Sequence, residues 1–313
     1  MDFKLNFELK QSFQYINHEK QLIFLGSCFS DEISSKFNFH GFKTLSNPFG
    51  TIFNPILLSK FIDNCIDEDQ KTERIFQRND VFLNWDANSL IYDFEINNFK
   101  KKLAEIRLNF LDYLKSSHTI FITFGTAWGY ILNDNSELVA NCHKMPSSLF
   151  RKELSPIDLI VTKWINTIGR IREVNPTIQI IFTVSPVRHI KDGLIENNQS
   201  KSILIEAIRQ INKHSSTNYF PSYEIMIDEL RDYRFFKSDL IHPSDEAVDY
   251  IWNKIKSVFF DSKTNSLVKE INTLKKQIGH KYLHSESKET IENKVKLESK
   301  IIEFKKLNPE IIL

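Results

Sequence analysis

The sequence predicts an α/β protein whose mostly parallel sheet is covered by helices on both faces. Three apolar runs carry that expectation: residues 22–25 ending at Gly26, residues 119–124 ending at Gly125, and residues 177–184 ending at Ser185-Pro186. Each has the length of a buried strand, breaks at a turn-forming residue and hands over, directly or after an intervening loop, to a segment with helical spacing. Strands that alternate with helices in this way pair in parallel, because each connection must cross back over the sheet.

Leu22-Ile23-Phe24-Leu25 reads as the first strand, and the segment from Ser30 to Phe37 opens a helix with Asp31 and Glu32 in its first turn. Residues 42–45 form a second strand that runs into the turn-rich Ser46-Asn47-Pro48-Phe49-Gly50-Thr51. Residues 74–94 read as a β-hairpin insertion, with Val81-Phe82-Leu83-Asn84-Trp85 and Leu90-Ile91-Tyr92 on either side of Asp86-Ala87-Asn88. A helix is expected over 97–115, the strand 119–124 follows, and a short hairpin around Asn133-Asp134-Asn135 leads to Asn141-Cys142-His143-Lys144. Pro156 opens a helix reaching about 174, followed by the strand 177–184, a helix over 199–214, a short strand at Tyr219-Phe220 and a helix over 244–260.

At Asp261 the composition changes. Leu267, Ile271, Leu274 and Ile278, then Ile291, Val295, Ile301 and Phe304, recur at helical spacing in a Lys- and Glu-rich background, with a break at 279–287. The chain therefore divides into a domain over 1–260 and a helical extension over 261–313. The apolar stripe of that extension is expected to pack on the domain or on a second copy, so the expected protein partner is a homo-oligomer formed through these helices.

With 313 residues, 41% hydrophobic and 26% charged, the chain can bury a large core. Its net charge of +1 and the lack of a long basic run favour neither nucleic acid nor a membrane surface as partner. Met1-Asp2-Phe3-Lys4-Leu5-Asn6 lacks the pattern of a secretory leader, and no apolar run is long enough to span a bilayer. Three cysteines, Cys28, Cys65 and Cys142, are too few for a disulfide framework, so a reducing cytoplasm is the expected location.

Chemistry concentrates at the end of the first strand, where Gly26 is followed by two adjacent nucleophile candidates, Ser27 and Cys28. Ligands collect at the carboxyl ends of strands in open sheets, and a thiol at a helix N-terminus is expected to have a lowered pKa. Late in the chain, Asp239-Leu240-Ile241-His242-Pro243 sets a carboxylate three residues before an imidazole, a spacing that lets Asp239 orient His242 as a base. A nucleophile, base and orienter would then come from opposite ends of the domain. His242-Pro243 also suits an ordinary helix start, and Asn141 to Lys144 suits a loop that satisfies its own backbone. Cys28, Cys142, His143 and His242 are metal ligands by type but show no metal-binding spacing, so no metal is expected. Eight glycines without a G-x-G-x-x-G or Walker pattern offer no phosphate cradle.

Gly26-Ser27-Cys28-Phe29-Ser30 resembles the signature of the GSCFA-domain family. The likeness continues through Asn141-Cys142-His143-Lys144, Thr183-Val184-Ser185-Pro186-Val187-Arg188-His189, Tyr233-Arg234-Phe235 and Asp239 to Ser244, so that it covers about 23–252. That family looks like a branch of the SGNH, or GDSL-type, hydrolases. The resemblance implies a three-layer α/β/α, flavodoxin-like fold and ester or acyl chemistry. It aligns the nucleophile with Cys28 rather than Ser27, and the base pair with Asp239 and His242. The asparagine of the superfamily's third block is replaced, since Gly125-Thr126-Ala127-Trp128 stands there, and Asn141 and Gly50 become the candidate oxyanion donors. Arg188, His189 and His143 are candidates for binding an anionic or sugar-like substrate. The expected activity is hydrolysis of an ester or acyl group on a glycan or small metabolite, with no cofactor. Two alternatives are an acyltransferase that uses acyl-CoA as co-substrate and a non-catalytic carbohydrate-binding protein.

Overall fold

Leu22, Ile23, Phe24 and Leu25 are all buried because the strand they form, β1 (Gln21–Gly26), lies inside the sheet with a parallel neighbour on each side. In the computed structural model, which describes residues 5–9, 14–67, 73–281, 283 and 286–313, β1 is followed by α1 (Cys28–Phe39), β2 (Lys43–Ser46) and α2 (Pro55–Ile66). A hairpin, β3 (Ile75–Arg78) and β4 (Val81–Asn84), precedes α3 (Ile96–Ser116) and β5 (Ser117–Phe124). Three short antiparallel strands come next: β6 (Trp128–Leu132), β7 (Leu138–Val139) and β8 (Phe150–Leu154). The alternation resumes with α4 (Ile157–Val174), β9 (Gln179–Val184), α5 (Leu194–His214) and β10 (Asn218–Tyr219). A short α6 (Ser222–Glu224), α7 (Asp245–Phe259), α8 (Ser262–Ile278) and α9 (Lys288–Leu307) complete the order.

The main sheet runs β10-β9-β5-β1-β2 with every pair parallel. Read by chain order this is the flavodoxin-like arrangement, in which the winding reverses between β1 and β5. One core layer, containing Ile23, Leu25, Phe110, Ile122, Trp164 and Phe182, lies under α2 to α5. The other, containing Leu22, Phe24, Phe37, Phe121, Trp252 and Phe259, lies under α1 and α7. Successive strand residues point to opposite faces, which is why Leu22 and Phe24 serve one layer and Ile23 and Leu25 the other. The result is three layers, as the sequence predicts.

The hairpin differs from its expected register. Ile75 pairs with Asn84 and Arg78 with Val81, with the turn at Asn79, whose φ is 53°. Leu90-Ile91-Tyr92 forms no strand, and only an isolated bridge joins Phe82 to Asp93. The run looked β-like because it is apolar, but Asn88 accepts the Leu90 N–H with its side chain and the Ile91 N–H with its carbonyl, folding the segment into turns.

Val268 in α8 joins the layer under α7, while Ile271, Leu274, Phe304 and Ile311 form a small core of their own. The Ile312 N–H donates to Gly41 O, so the extension also touches the loop after α1. Parts of two expected features, the leader reading at Met1 to Lys4 and the helical break at 282, 284 and 285, lie outside the described residues. No helix among the described residues is long and apolar enough to cross a membrane.

Candidate active site

Gly26 ends β1 at φ +123°, and a Cβ there would overlap the Thr123 carbonyl of β5. Only glycine lets the two backbones approach this closely. The chain then turns at Ser27, which is 0% exposed and caps α1 by accepting the Phe29 N–H at 3.3 Å. Ser27 is thus occupied as a cap, and Cys28 is the half-buried first residue of the helix. Asn47 holds this turn from behind. Its Oδ1 accepts the Gly26 N–H at 2.8 Å, its Nδ2 donates to Asp31 Oδ2 at 2.9 Å, and its own N–H bonds Phe24 O.

The thiol does not have the expected low pKa. Burial pushes it up, and Glu32 and Asp31 in the first helical turn push further, outweighing the N–H groups of Cys28 and Phe29 that favour the thiolate. The same acidic residues that favour the helix start oppose ionisation of its first side chain.

His242 reaches the site on a tight loop. Asp239 Oδ1 accepts the N–H groups of Ile241 and His242 at 2.9 and 3.0 Å, Leu240 adopts φ 59°, and the Lys237 N–H bonds His242 O. Asp239 Oδ2 meets His242 Nδ1 at 2.7 Å. These three hydrogen bonds, the two backbone ones first, hold the Asp239 carboxyl well below the usual carboxylate range. A carboxylate only accepts, so Nδ1 carries the proton and the neutral ring presents Nε2 as its basic nitrogen. Lys237 pairs with Glu32 at 2.9 Å, which ties this loop to α1.

Cys28 and His242 line one cavity of about 800 Å³ at the carboxyl ends of the strands, beside the β1/β5 reversal. Phe53, Asn54 and Leu57 form one side, Trp128, Tyr130, Phe150 and Lys152 of the small sheet another, and Arg188, His189 and Ile241 close the third. Lys152 pairs with Asp192 and lies 4.8 Å from the Trp128 ring. Asn141 also lines the cavity. Its Oδ1 accepts the His143 N–H at 2.7 Å and the Ser89 hydroxyl at 3.1 Å, which leaves the amide NH2 as the end with no hydrogen bond among the described residues.

Gly50 does not line the cavity, and its N–H donates to Asn47 O at 2.7 Å, closing the turn 47–50. The candidate oxyanion donor is therefore engaged within its own turn in this structure, at φ +77° against Asn88. His143 is 1% exposed and lies outside the cavity lining, with Nε2 on Asn84 O and Nδ1 beside Ser89 Oγ, both at 2.9 Å. Burial, with the Arg78 charge nearby, brings its pKa down to about 4. It is a neutral brace for the turn 142–145, in which His143 and Lys144 both have positive φ. Burial pushes the Cys142 thiol up to about 11.

Arg188 lines the cavity but is also built into the base loop. Its N–H donates to Ile241 O, its guanidinium donates to Leu240 O at 3.3 Å, and it stacks 3.9 Å from the Phe236 ring. His189 lies against Phe53, and its Nε2 is buried without a partner among the described residues. Burial, then the charges of Lys201 and Lys152, bring its pKa down to about 3.

Sequence reasoning missed Asn47, Lys237 and Lys201. Asn47 sat in a loop read only as a turn, and Lys237 resembled any exposed lysine. Lys201 did carry a signal. It falls on the stripe Asn197, Ser200, Leu204, Ala207, Ile208 and Ile211, the face that α5 buries.

The GSCFA family model matches residues 21–255, which span the turn at Cys28, the cavity and the loop of Asp239 and His242. The chain belongs to the GSCFA family. No curated protein matches this GSCFA chain in sequence. It is similar in structure to a peptidoglycan O-acetylesterase at 14% identity and a TM-score of 0.33, over 53% of this chain and 42% of that one. It is also similar to the periplasmic domain of a lipopolysaccharide acetyltransferase from Salmonella ser. Paratyphi A, at 10% identity and 0.38, over 78% and 84%. A third similar structure is an acetyl xylan esterase from the rumen bacterium Butyrivibrio proteoclasticus, at 11% and 0.40, over 77% and 64%. The GSCFA chain thus spans less than two thirds of the first and third of these proteins. In this GSCFA chain the flavodoxin-like sheet has Cys28 just after β1, at the first residue of α1.

Proposed function

We propose that this GSCFA protein cleaves or transfers acyl esters through a thioester on Cys28. The observation that carries the reading is the Asp239–His242 hydrogen bond of 2.7 Å on a ring that shares one cavity with Cys28. His242 Nε2 takes the thiol proton as sulfur attacks the ester carbonyl, and returns it to the departing alkoxide as the C–O bond breaks. Because the thiol is neutral in the resting site, attack is base-assisted. The Asn141 amide and the N–H groups at the start of α1 are the donors nearest in kind to what the developing oxyanion needs.

The cavity lining supports an acyl group flanked by a hydroxylated, anionic or sugar-like body. Phe53, Leu57 and Phe150 suit the acyl chain, Trp128 and Tyr130 suit a sugar face, and Arg188, Lys191 and His189 suit acidic or hydroxyl groups. A second reading is favoured by the nucleophile itself. A thioester is resolved by hydroxyl or amine acceptors as well as by water, so acyl transfer from a thioester donor such as acyl-CoA follows the same first step. The free thiols Cys28, Cys65 and Cys142 suit a reducing, cytoplasmic setting.

The test is exposure to an aryl acetate, followed by intact mass and peptide mapping. An acetyl-sized increment on Cys28 is expected, and an increment confined to any other residue would remove the proposal. Asn141→Ala should lower kcat about a hundredfold with little change in KM, since the lost donor acts on charge that exists only in the transition state. Equal kinetics for variant and parent would take Asn141 out of the oxyanion role. Asp239→Asn should also lower kcat by about a hundredfold, because an amide can donate to Nδ1 and turn the ring to the wrong tautomer. A rise in KM alone would contradict that assignment.

A further inference from the structure

Lys201 is 1% exposed, and its Nζ donates to Gly125 O and Ser185 O, both at 2.7 Å. Those carbonyls lie just past the ends of β5 and β9, neighbouring strands beneath the cavity. On its other side β5 pairs with β1, and the Ser27 N–H bonds Thr123 O at 3.3 Å. Lys201 is therefore joined, through two residues of one strand end, to the turn that presents Cys28.

A leucine or methionine would fill this place on the apolar face of α5 without the desolvation that a buried ammonium suffers. Burial brings the Lys201 pKa down to about 7, and ionisation of Cys28 draws it back up. The other groups that face it are the Tyr223 ring of α6 at 5.6 Å and His189 beyond β9, whose pKa it lowers. Neither is an anion at neutral pH, since burial, with Glu224 nearby, raises the Tyr223 phenol. A charge that destabilises the fold at strand ends adjoining the Cys28 turn, with no carboxylate paired to it among the described residues, calls for a functional reason.

We propose that Lys201 is a positioning residue for the reaction at Cys28, clasping the Gly125 and Ser185 carbonyls and placing its ammonium beneath the nucleophile turn. The inference rests on Cys28 as the reacting group. Lys201 touches neither acyl group nor leaving group and exchanges no proton in the step. The thiol proton goes to His242, and Lys201 favours the sulfur's negative charge against burial, Glu32 and Asp31.

Lys201→Gln retains amide N–H donors for the carbonyls and removes the charge. Iodoacetamide labelling, with each cysteine followed by peptide mass, reads Cys28 without any substrate. In the folded variant, Cys28 labelling at neutral pH should slow about tenfold and its pH midpoint should rise. Unchanged labelling would overturn the proposal, because a merely structural clasp predicts no shift.

A second measurement covers failure of the variant to fold. Coupling is reciprocal, so Cys28→Ser should lower the titration midpoint of the Lys201 Cε signal by NMR. An unmoved midpoint would overturn the pairing. If labelling responds to Lys201 while Cys28→Ala retains full acyl turnover, the acyl-enzyme reading falls and the pairing stands. If Cys28→Ala is inactive but labelling ignores Lys201, the reverse holds.

Discussion

Cys28→Ala is expected to lower acyl-ester turnover by about a thousandfold or more, leaving only what binding and oxyanion donors supply. His242→Ala should fall to a similar floor, and the double variant should be scarcely worse than either, since the two side chains act in one step. Initial rates on an aryl acetate, with fold checked by circular dichroism, decide this. Full activity of the alanine variant on a responsive ester would sink the nucleophile assignment. Cys28→Ser should keep measurable hydrolysis, because the site holds the resting thiol neutral by burial and by Glu32 and Asp31. A nucleophile deprotonated during attack, and not before it, can be an alcohol.

Gly26→Ala is expected to destabilise the protein by about 3 kcal/mol or more, through a strained positive φ and overlap with the Thr123 carbonyl. For a chain of this size that corresponds to a fall in Tm of roughly 5 °C. Gly169→Ala is the matched control. It lies in α4 with nothing within 4 Å of an added Cβ, and should stabilise by about 0.5–1 kcal/mol. Urea or thermal unfolding of the two variants separates a general glycine effect from the close approach of β1 to β5. A Gly26→Ala protein that melts with its parent would refute that account.

The fold was legible because its central strands are apolar on both faces. Runs such as Ile120, Phe121 and Ile122 leave little choice but a covered parallel strand, and their breaks at Gly26, Gly125 and Ser185 mark where ligands gather. Local apolar character without such a break misled at Leu90 to Tyr92, where asparagine side chains decide the backbone. In the candidate site, the spacing of Asp239 and His242 made their hydrogen bond legible. The site was not legible where tertiary contacts assign the roles. The Gly50 N–H belongs to its own turn, both His143 nitrogens have partners, and the Cys28 thiol responds to carboxylates that a pattern reading credits only to the helix. Lys201 was visible as a charge on an apolar stripe, but what lies opposite that stripe is set by the sheet order.

Asn47 is absent from the cavity lining, yet it grips Gly26, Asp31 and Phe24 at once. The turn at Cys28 is thus held by a residue outside the cavity, while much of the cavity wall comes from the separate sheet of β6 and β8. Changes at Trp128, Tyr130 or Phe150 can reshape the cavity wall without loosening the turn at Cys28. Under the proposed reaction, such a separation lets one centre be refitted to new acyl carriers in small evolutionary steps.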